Sequence, residues 1–168
     1  MNEVIETNRL CLRPFVEDDI DPLFLIQSDP IAMQYTVCAK TREAAARRLR
    51  AYAREKDELG FAPWTVVLRS EDRIIGWGGL NVDPFDPGWG VEVIYFFHPA
   101  YWGRGFAGEL VKTSVDIGFA LHRLEEINAF AHRDNKASIR VLEKNGFRYL
   151  GYEERLERNH YRICQPVT

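Results

Sequence analysis

Apolar and polar positions alternate over residues 9–15, with Leu10 and Leu12 set against Arg9, Cys11 and Arg13. That is the period of a short strand. Asp18-Asp19 then open a helix to about Gln27 that carries Leu23, Phe24 and Ile26, and Asp29-Pro30 break it. Thr41 is an N-cap for a second helix, from Arg42 to about Glu58, which Gly60 ends. Strands are expected at residues 61–68 and 73–80, followed by a loop at 83–88 dense in turn residues. Residues 90–97 are apolar on both faces except for Glu92, the mark of a central strand. A helix from about Gly105 to Leu121 carries Phe106, Leu110, Ile117 and Leu121 as one stripe, widened by Ala107, Val111 and Val115. A strand at about 127–132, a helix at 136–144 and strands at about 147–155 and 160–164 follow. Strands first, then alternating helix and strand, imply an α/β (α+β) fold. One mixed sheet of seven strands with about four helices on both faces is expected.

Length and composition narrow the class. The 168 residues fit a single domain spanning 1–168, with no repeat or linker. Hydrophobic residues make up 46%, enough for a core, yet no apolar run nears the roughly 20 residues of a membrane span. The N-terminus lacks the pattern of a secretory signal, so a cytoplasmic protein away from the membrane is expected. Cys11, Cys38 and Cys164 are scattered and read as small apolar fillers. Neither they nor the four histidines show metal-ligand spacing, so no metal is expected. A net charge of -3 argues against a nucleic-acid partner. The basic stretch at 42–56 is balanced by Glu43, Glu55, Asp57 and Glu58, as on a solvated helix face. A monomer and a homodimer are both compatible with the sequence.

Two segments carry the chemistry. Pro99-Ala100-Tyr101-Trp102-Gly103-Arg104-Gly105-Phe106-Ala107-Gly108 follows the apolar strand and reads as a glycine turn opening a helix. Gly103, Gly105 and Gly108 satisfy Gly-x-Gly-x-x-Gly, but Glu125-Glu126 precede the next strand instead of ending it. They sit at the wrong end to reach a ribose, which weakens the nicotinamide-dinucleotide alternative. The phosphate logic survives: glycines admit a close approach, and amides at a helix N-terminus carry partial positive charge. Arg104 adds a formal charge, while the plainer reading is an ordinary tight turn. In the second segment Asn135 can cap a helix, and Ser138 lies one turn later on the same face. Together the segments point to a cofactor with a pyrophosphate and a long arm.

With these segments on the page, the chain resembles the GNAT superfamily of acyl-CoA-dependent N-acyltransferases. Within it, the chain is most similar to the ribosomal-protein N-terminal alanine acetyltransferases. The likeness covers nearly the whole chain. It runs from Thr7-Asn8-Arg9-Leu10-Cys11-Leu12-Arg13-Pro14-Phe15 through Ile74-Ile75-Gly76-Trp77-Gly78-Gly79-Leu80, Glu92 to Tyr95 and Tyr101-Trp102-Gly103-Arg104-Gly105-Phe106-Ala107 to residues 135–147. The resemblance implies a mostly antiparallel sheet and acetyl-CoA as co-substrate. Its diphosphate is expected on the amides of Gly103, Arg104, Gly105, Phe106, Ala107 and Gly108. Its pantetheine arm is expected along the backbone of Tyr95, Phe96 and Phe97, with Asn135 bonding the arm and Ser138 near the sulfur. Trp102 stands where the broader superfamily has Gln or Arg. Many members carry a tyrosine two helical turns after the Asn to protonate the leaving thiolate, where this chain has Leu142. Ser138 is then the expected acid, with Tyr149, Tyr152 or water as alternatives.

The implied reaction is attack of an amine on a thioester, with no covalent enzyme intermediate. A lysine-like amine, with a pKa of about 10.4, is mostly charged at pH 7, whereas an N-terminal amine at about 7.7–8.0 needs only a modest base. Glu92, the lone charge in an apolar strand, is the candidate base. Its plainer reading is a carboxylate paired with an arginine or placed at a wet strand end. The amine acceptor, a protein N-terminus or a small molecule, is expected at the first two helices and the loop at 83–89. There Asp83 and Asp86 can attract a cation, and Trp64, Trp77 and Trp89 line either the cleft or the core. A CoA-binding protein without turnover, and a donor other than acetyl-CoA, remain alternatives.

Overall fold

The computed structural model describes residues 3–167. Its strands are β1 (Ile5–Glu6), β2 (Leu10–Pro14), β3 (Trp64–Leu68), β4 (Arg73–Asn81), β5 (Glu92–Phe97), β6 (Glu126–Ala131), β7 (Arg148–Glu153) and β8 (Arg158–Cys164). Its α-helices are α1 (Ile20–Gln27), α2 (Arg42–Leu59), α3 (Phe106–Ala120) and α4 (Lys136–Lys144). The strands form one sheet in the order β1-β2-β3-β4-β5-β6-β8-β7. Among these neighbours only β5 and β6 run parallel, so the sheet is mixed and mostly antiparallel. It has eight strands where seven were expected. The addition is β1, whose two residues pair with Leu12 and Cys11 of β2; so short a strand leaves no alternation to read.

Local signals set most boundaries. The Thr41 hydroxyl accepts from the Ala44 amide at 3.1 Å, and Gly60 closes α2 at φ +81°. The charged side of α2 is solvated as expected, with Arg50 paired to Glu17 at 2.8 Å. β3 begins at Trp64 and not at residue 61, because Pro63 has no amide to give the ladder. Phe61 instead turns into the core beneath α3.

Helices cover both faces. On one, α3 and α4 bring Leu110, Val111, Val115 and Leu142 against Leu10, Leu80, Val93 and Ile127. On the other, α1 and α2 bring Ile20, Leu23, Leu49 and Tyr52 against Trp77 and Phe96. The α3 stripe departs from expectation at Leu121, which lies just past the helix end and is 61% exposed. Leu110 is fully buried. Leu110→Ala is therefore expected to cost about 2–5 kcal/mol through lost burial and a residual cavity. The urea midpoint should fall with an unchanged slope; a cost near zero contradicts the packing.

One feature of the sheet positions the site. β5 pairs with β4 along its length, from Gly76 opposite Phe97 to Asn81 opposite Glu92. It pairs with β6 only where Glu92 meets Asn128. Beyond that point the two parallel strands part. Their C-terminal ends lead into the N-termini of α3 and α4, so the gap opens between two helix N-termini. Ligands of parallel strands bind at such carboxyl ends.

Candidate active site

The glycine segment leaves β5 through a short 3-10 turn, Pro99–Tyr101, capped by His98, whose Nδ1 accepts from the Ala100 amide at 3.1 Å. Tyr101 and Phe106 anchor the two ends in the core. Gly103 and Gly105 between them have φ of +73° and +84°, in the region that residues with a Cβ avoid. The first bond of α3 runs from the Glu109 amide to the Gly105 carbonyl at 3.1 Å. The amides of Phe106, Ala107 and Gly108 precede it and have no acceptor within the helix. Gly108 has an ordinary helical backbone, and a Cβ there would meet nothing closer than Asn145 Nδ2 at 4.0 Å. Its amide, not its conformation, belongs to the turn. The Arg104 guanidinium lies over the rings of Tyr101 and Phe106, at 5.6 and 5.1 Å.

Hydrogen bonds show which edge of β5 is open. His98 N donates to Ile75 O on β4, and Val91 O accepts from Asn128 N on β6, each at 2.8 Å. Backbone groups alternate along a strand, so Glu92, Ile94 and Phe96 face β4, while Val93, Tyr95 and Phe97 face β6 and the gap. The Tyr95 backbone and the Phe97 amide are thus available to an extended arm, whereas the Phe96 backbone is turned to β4 opposite Trp77. Trp102, the departure from the superfamily pattern, donates its indole NH to Phe97 O at 2.9 Å. It spends its polar group on closing the turn against β5.

Across the gap, Asn135 caps α4 by accepting from the Ser138 amide at 3.1 Å. The Ser138 hydroxyl lies 2.7 Å from the Tyr95 hydroxyl. Burial pushes the Tyr95 phenol up to about 12, against the lowering effect of Ser138, so it stays neutral at physiological pH. Leu142 is buried in the core against α3 and supplies no polar group. Tyr149 and Tyr152 lie on edge strand β7, separated from β5 by β6 and β8. Tyr149 packs against Tyr161, and Tyr152 lies beneath the Arg133 guanidinium.

Glu92 points to the opposite face, toward α1 and α2, in the row that Asn81 and Asn128 continue on either side. Among the described residues its carboxylate has no hydrogen-bond or ion-pair partner. Burial, then the charges of Asp83 and Asp86, push its pKa up to about 7. The arginine-paired reading is therefore not met. Asp83 is a turn residue, accepting from the Phe85 amide at 2.8 Å. Asp86 is occupied, by Arg155 at 2.9 Å and the Trp89 indole at 3.0 Å, so it is not free to draw a cation. Trp64 and Trp77 belong to the core and Trp89 to the rim. Tyr52 of α2 escaped the sequence reading. It packs against Trp77 and Phe85 beside this face, and burial pushes its phenol up to about 12. Cys11 and Cys38 are half-buried, but Cys164 is exposed at the end of β8 and fills no core. Among the described residues there is no cluster of three or more metal-ligating side chains, and no helix long and apolar enough to cross a membrane.

The Glu92 environment has a consequence for stability. Between pH 4.5 and 7 the unfolded chain ionises this carboxyl while the folded chain keeps it protonated, so stability falls as pH rises and the full cost is present above 7. Glu92→Gln removes that cost. It is expected to stabilise the ligand-free protein by up to roughly 3 kcal/mol at pH 8 and by little at pH 4.5. Thermal melts at the two pH values check this; a variant less stable at pH 8 contradicts it.

Comparison with known proteins agrees with this geometry. The acetyltransferase (GNAT) domain family matches residues 9–148. The uncharacterized N-acetyltransferase p20 of Bacillus licheniformis is 30% identical over 151 residues, covering 89% of this chain and 84% of that protein. The ribosomal-protein-S5-alanine acetyltransferase of Vibrio fischeri shares the fold at a TM-score of 0.78 and 21% identity over 97% of both chains. So does the spermidine N-acetyltransferase of Vibrio cholerae, solved with CoA and spermine, at a TM-score of 0.74 and 17% identity over 95% of this chain and 97% of that one. The chain belongs to the GNAT acetyltransferase family. The activity that family defines is acyl transfer from an acyl-CoA to an amine.

Proposed function

We propose that this chain transfers an acetyl group from acetyl-CoA to a primary amine, on a protein N-terminus or a small molecule, by direct attack with both substrates bound. The residues fit such a donor. The free amides at the start of α3, with Gly103, Arg104 and Gly105, suit a diphosphate. The open edge at Tyr95 and the Phe97 amide suits the amide-bearing arm, with Phe96 pinning β5 to β4 behind it. Asn135 and Ser138 flank that path from α4. Acetyl-CoA supplies the activated acyl group as a thioester. The parting of β5 and β6 lets a group held on the α3/α4 face be reached from the α1/α2 face, where the amine is received.

The observation that carries the reading is Glu92: half-buried, unpaired among the described residues and placed beside the gap. As a carboxylate it takes a proton from the attacking amine, directly or through one water. A base near pH 7 is well matched to an N-terminal amine at about 7.7–8.0 and poorly to a lysine-like amine at about 10.4. Ser138, bonded to Tyr95, hydrogen-bonds the charge that develops on the departing sulfur, and the thiolate takes its proton from water, since Leu142 provides no phenol. A thiol-release assay with acetyl-CoA and a panel of peptides, polyamines, aminoglycosides and amino acids tests this. Acetyl-dependent turnover on at least one amine is expected. Tight CoA binding without turnover on any amine, or turnover with succinyl-CoA alone, overturns it.

A further inference from the structure

The opening-strand motif around Thr7 and Arg9 has no part in the chemistry above, yet the fold ties it to the phosphate turn. Glu109 stands in the first turn of α3, within the positive end offered to a diphosphate. One of its oxygens accepts from Thr7 Oγ1 at 2.5 Å and from the Arg9 amide at 2.8 Å. The other accepts from Arg9 Nε at 2.8 Å. Burial opposes ionisation of Glu109, but these bonds outweigh it and hold the carboxyl below its usual range. The same guanidinium reaches further: Arg9 Nη1 donates to the Arg104 carbonyl at 2.6 Å, and the group lies 4.4 Å over the Phe106 ring.

We infer that Arg9 is a positioning residue for the glycine turn, neutralising Glu109 and holding the Arg104 carbonyl away from the bound anion. The inference rests on the reading that this turn holds the diphosphate of an acyl-CoA. A carboxylate at a helix N-terminus is favourable for the free helix, but it competes with a phosphate for the same positive end. A peptide carbonyl turned toward a phosphate would repel it as well. Arg9 removes both conflicts with one fork, a geometry that a lysine ammonium does not reproduce. Thr7 and Arg9 belong to the turn between β1 and β2, closed by the Thr7 amide on Leu10 O at 2.9 Å, so α3 holds this turn just before Leu10 enters the core.

Calorimetric titration with CoA, on proteins whose folding is verified by urea denaturation, separates this role from simple structural support. Arg9→Gln is expected to weaken CoA binding roughly tenfold. Adding Glu109→Gln in the same chain is expected to restore affinity to within about threefold of the unaltered protein, because the uncompensated charge is gone. A structural brace would behave oppositely, since deleting its second half does not repair it. Should Arg9→Gln fail to fold, Glu109→Gln alone is decisive: with Arg9 left unneutralised, CoA affinity is expected to rise about threefold. Unchanged binding in Arg9→Gln, a double variant as weak as the single one, or a fall in Glu109→Gln overturns the inference while the diphosphate reading stands. No CoA binding by the unaltered chain overturns both.

Discussion

Glu92→Gln is expected to lower kcat for amine acetylation by roughly 100- to 1,000-fold, the usual contribution of a positioned general base, while CoA affinity changes less than about twofold. The split follows from the fold. Glu92 projects to the α1/α2 face, whereas the amides at the start of α3 and the open edge of β5, proposed to hold the donor, lie elsewhere. Glutamine keeps the size of the side chain and loses only the ability to accept a proton. The pH profile adds an independent check. The carboxyl, raised to about 7 by burial and by Asp83 and Asp86, works as a base only when ionised. Activity per enzyme should therefore climb as pH rises through 7 and level off above, until the amine's own ionisation adds its limb. In Glu92→Gln the limb at 7 disappears. Unchanged turnover with an unchanged limb removes Glu92 as the base.

Gly105→Val is expected to weaken CoA binding at least 100-fold. Two obstacles combine. The backbone there has φ +84°, where a β-branched residue is strained by a few kcal/mol. A Cβ would also sit 3.2 Å from Arg9 Nη2, the group that steadies the turn. Relief requires the turn to rotate, which re-aims the very amides that suit a diphosphate. Because the strain is local to a surface turn, the urea midpoint should fall modestly beside the loss of binding. Full CoA affinity in the folded variant contradicts the turn as the diphosphate cradle.

Where neighbouring residues set the geometry, the sequence was a reliable guide. Thr41 and Gly60 bracket α2 because a cap and a left-handed glycine act within one turn. The glycine turn followed the apolar strand as its spacing implied, and Glu92 stood out because one charge in an apolar run has few explanations. What stayed hidden depends on partners far along the chain. Arg9 and Glu109 are about a hundred positions apart, and Tyr95 meets Ser138 from a different element. Residue types alone did not pair them. Nor did strand periodicity show that Phe96 turns its backbone to β4 while Tyr95 and Phe97 face the gap; only the register fixes that. Cys164 and Leu121 look apolar and therefore buried, but Cys164 is the last residue of β8, Leu121 lies just past the end of α3, and both are exposed. The Trp102 departure made sense only once its indole was seen on Phe97 O.

The central claim is that main-chain amides beside Gly105, together with the open edge of β5, accept an acyl-CoA. Isothermal titration of the unaltered protein with CoA, and separately with NADH, tests it most directly. Saturable one-to-one binding of CoA, with no heat from NADH, is the predicted result. Heat from NADH with none from CoA at millimolar excess contradicts it.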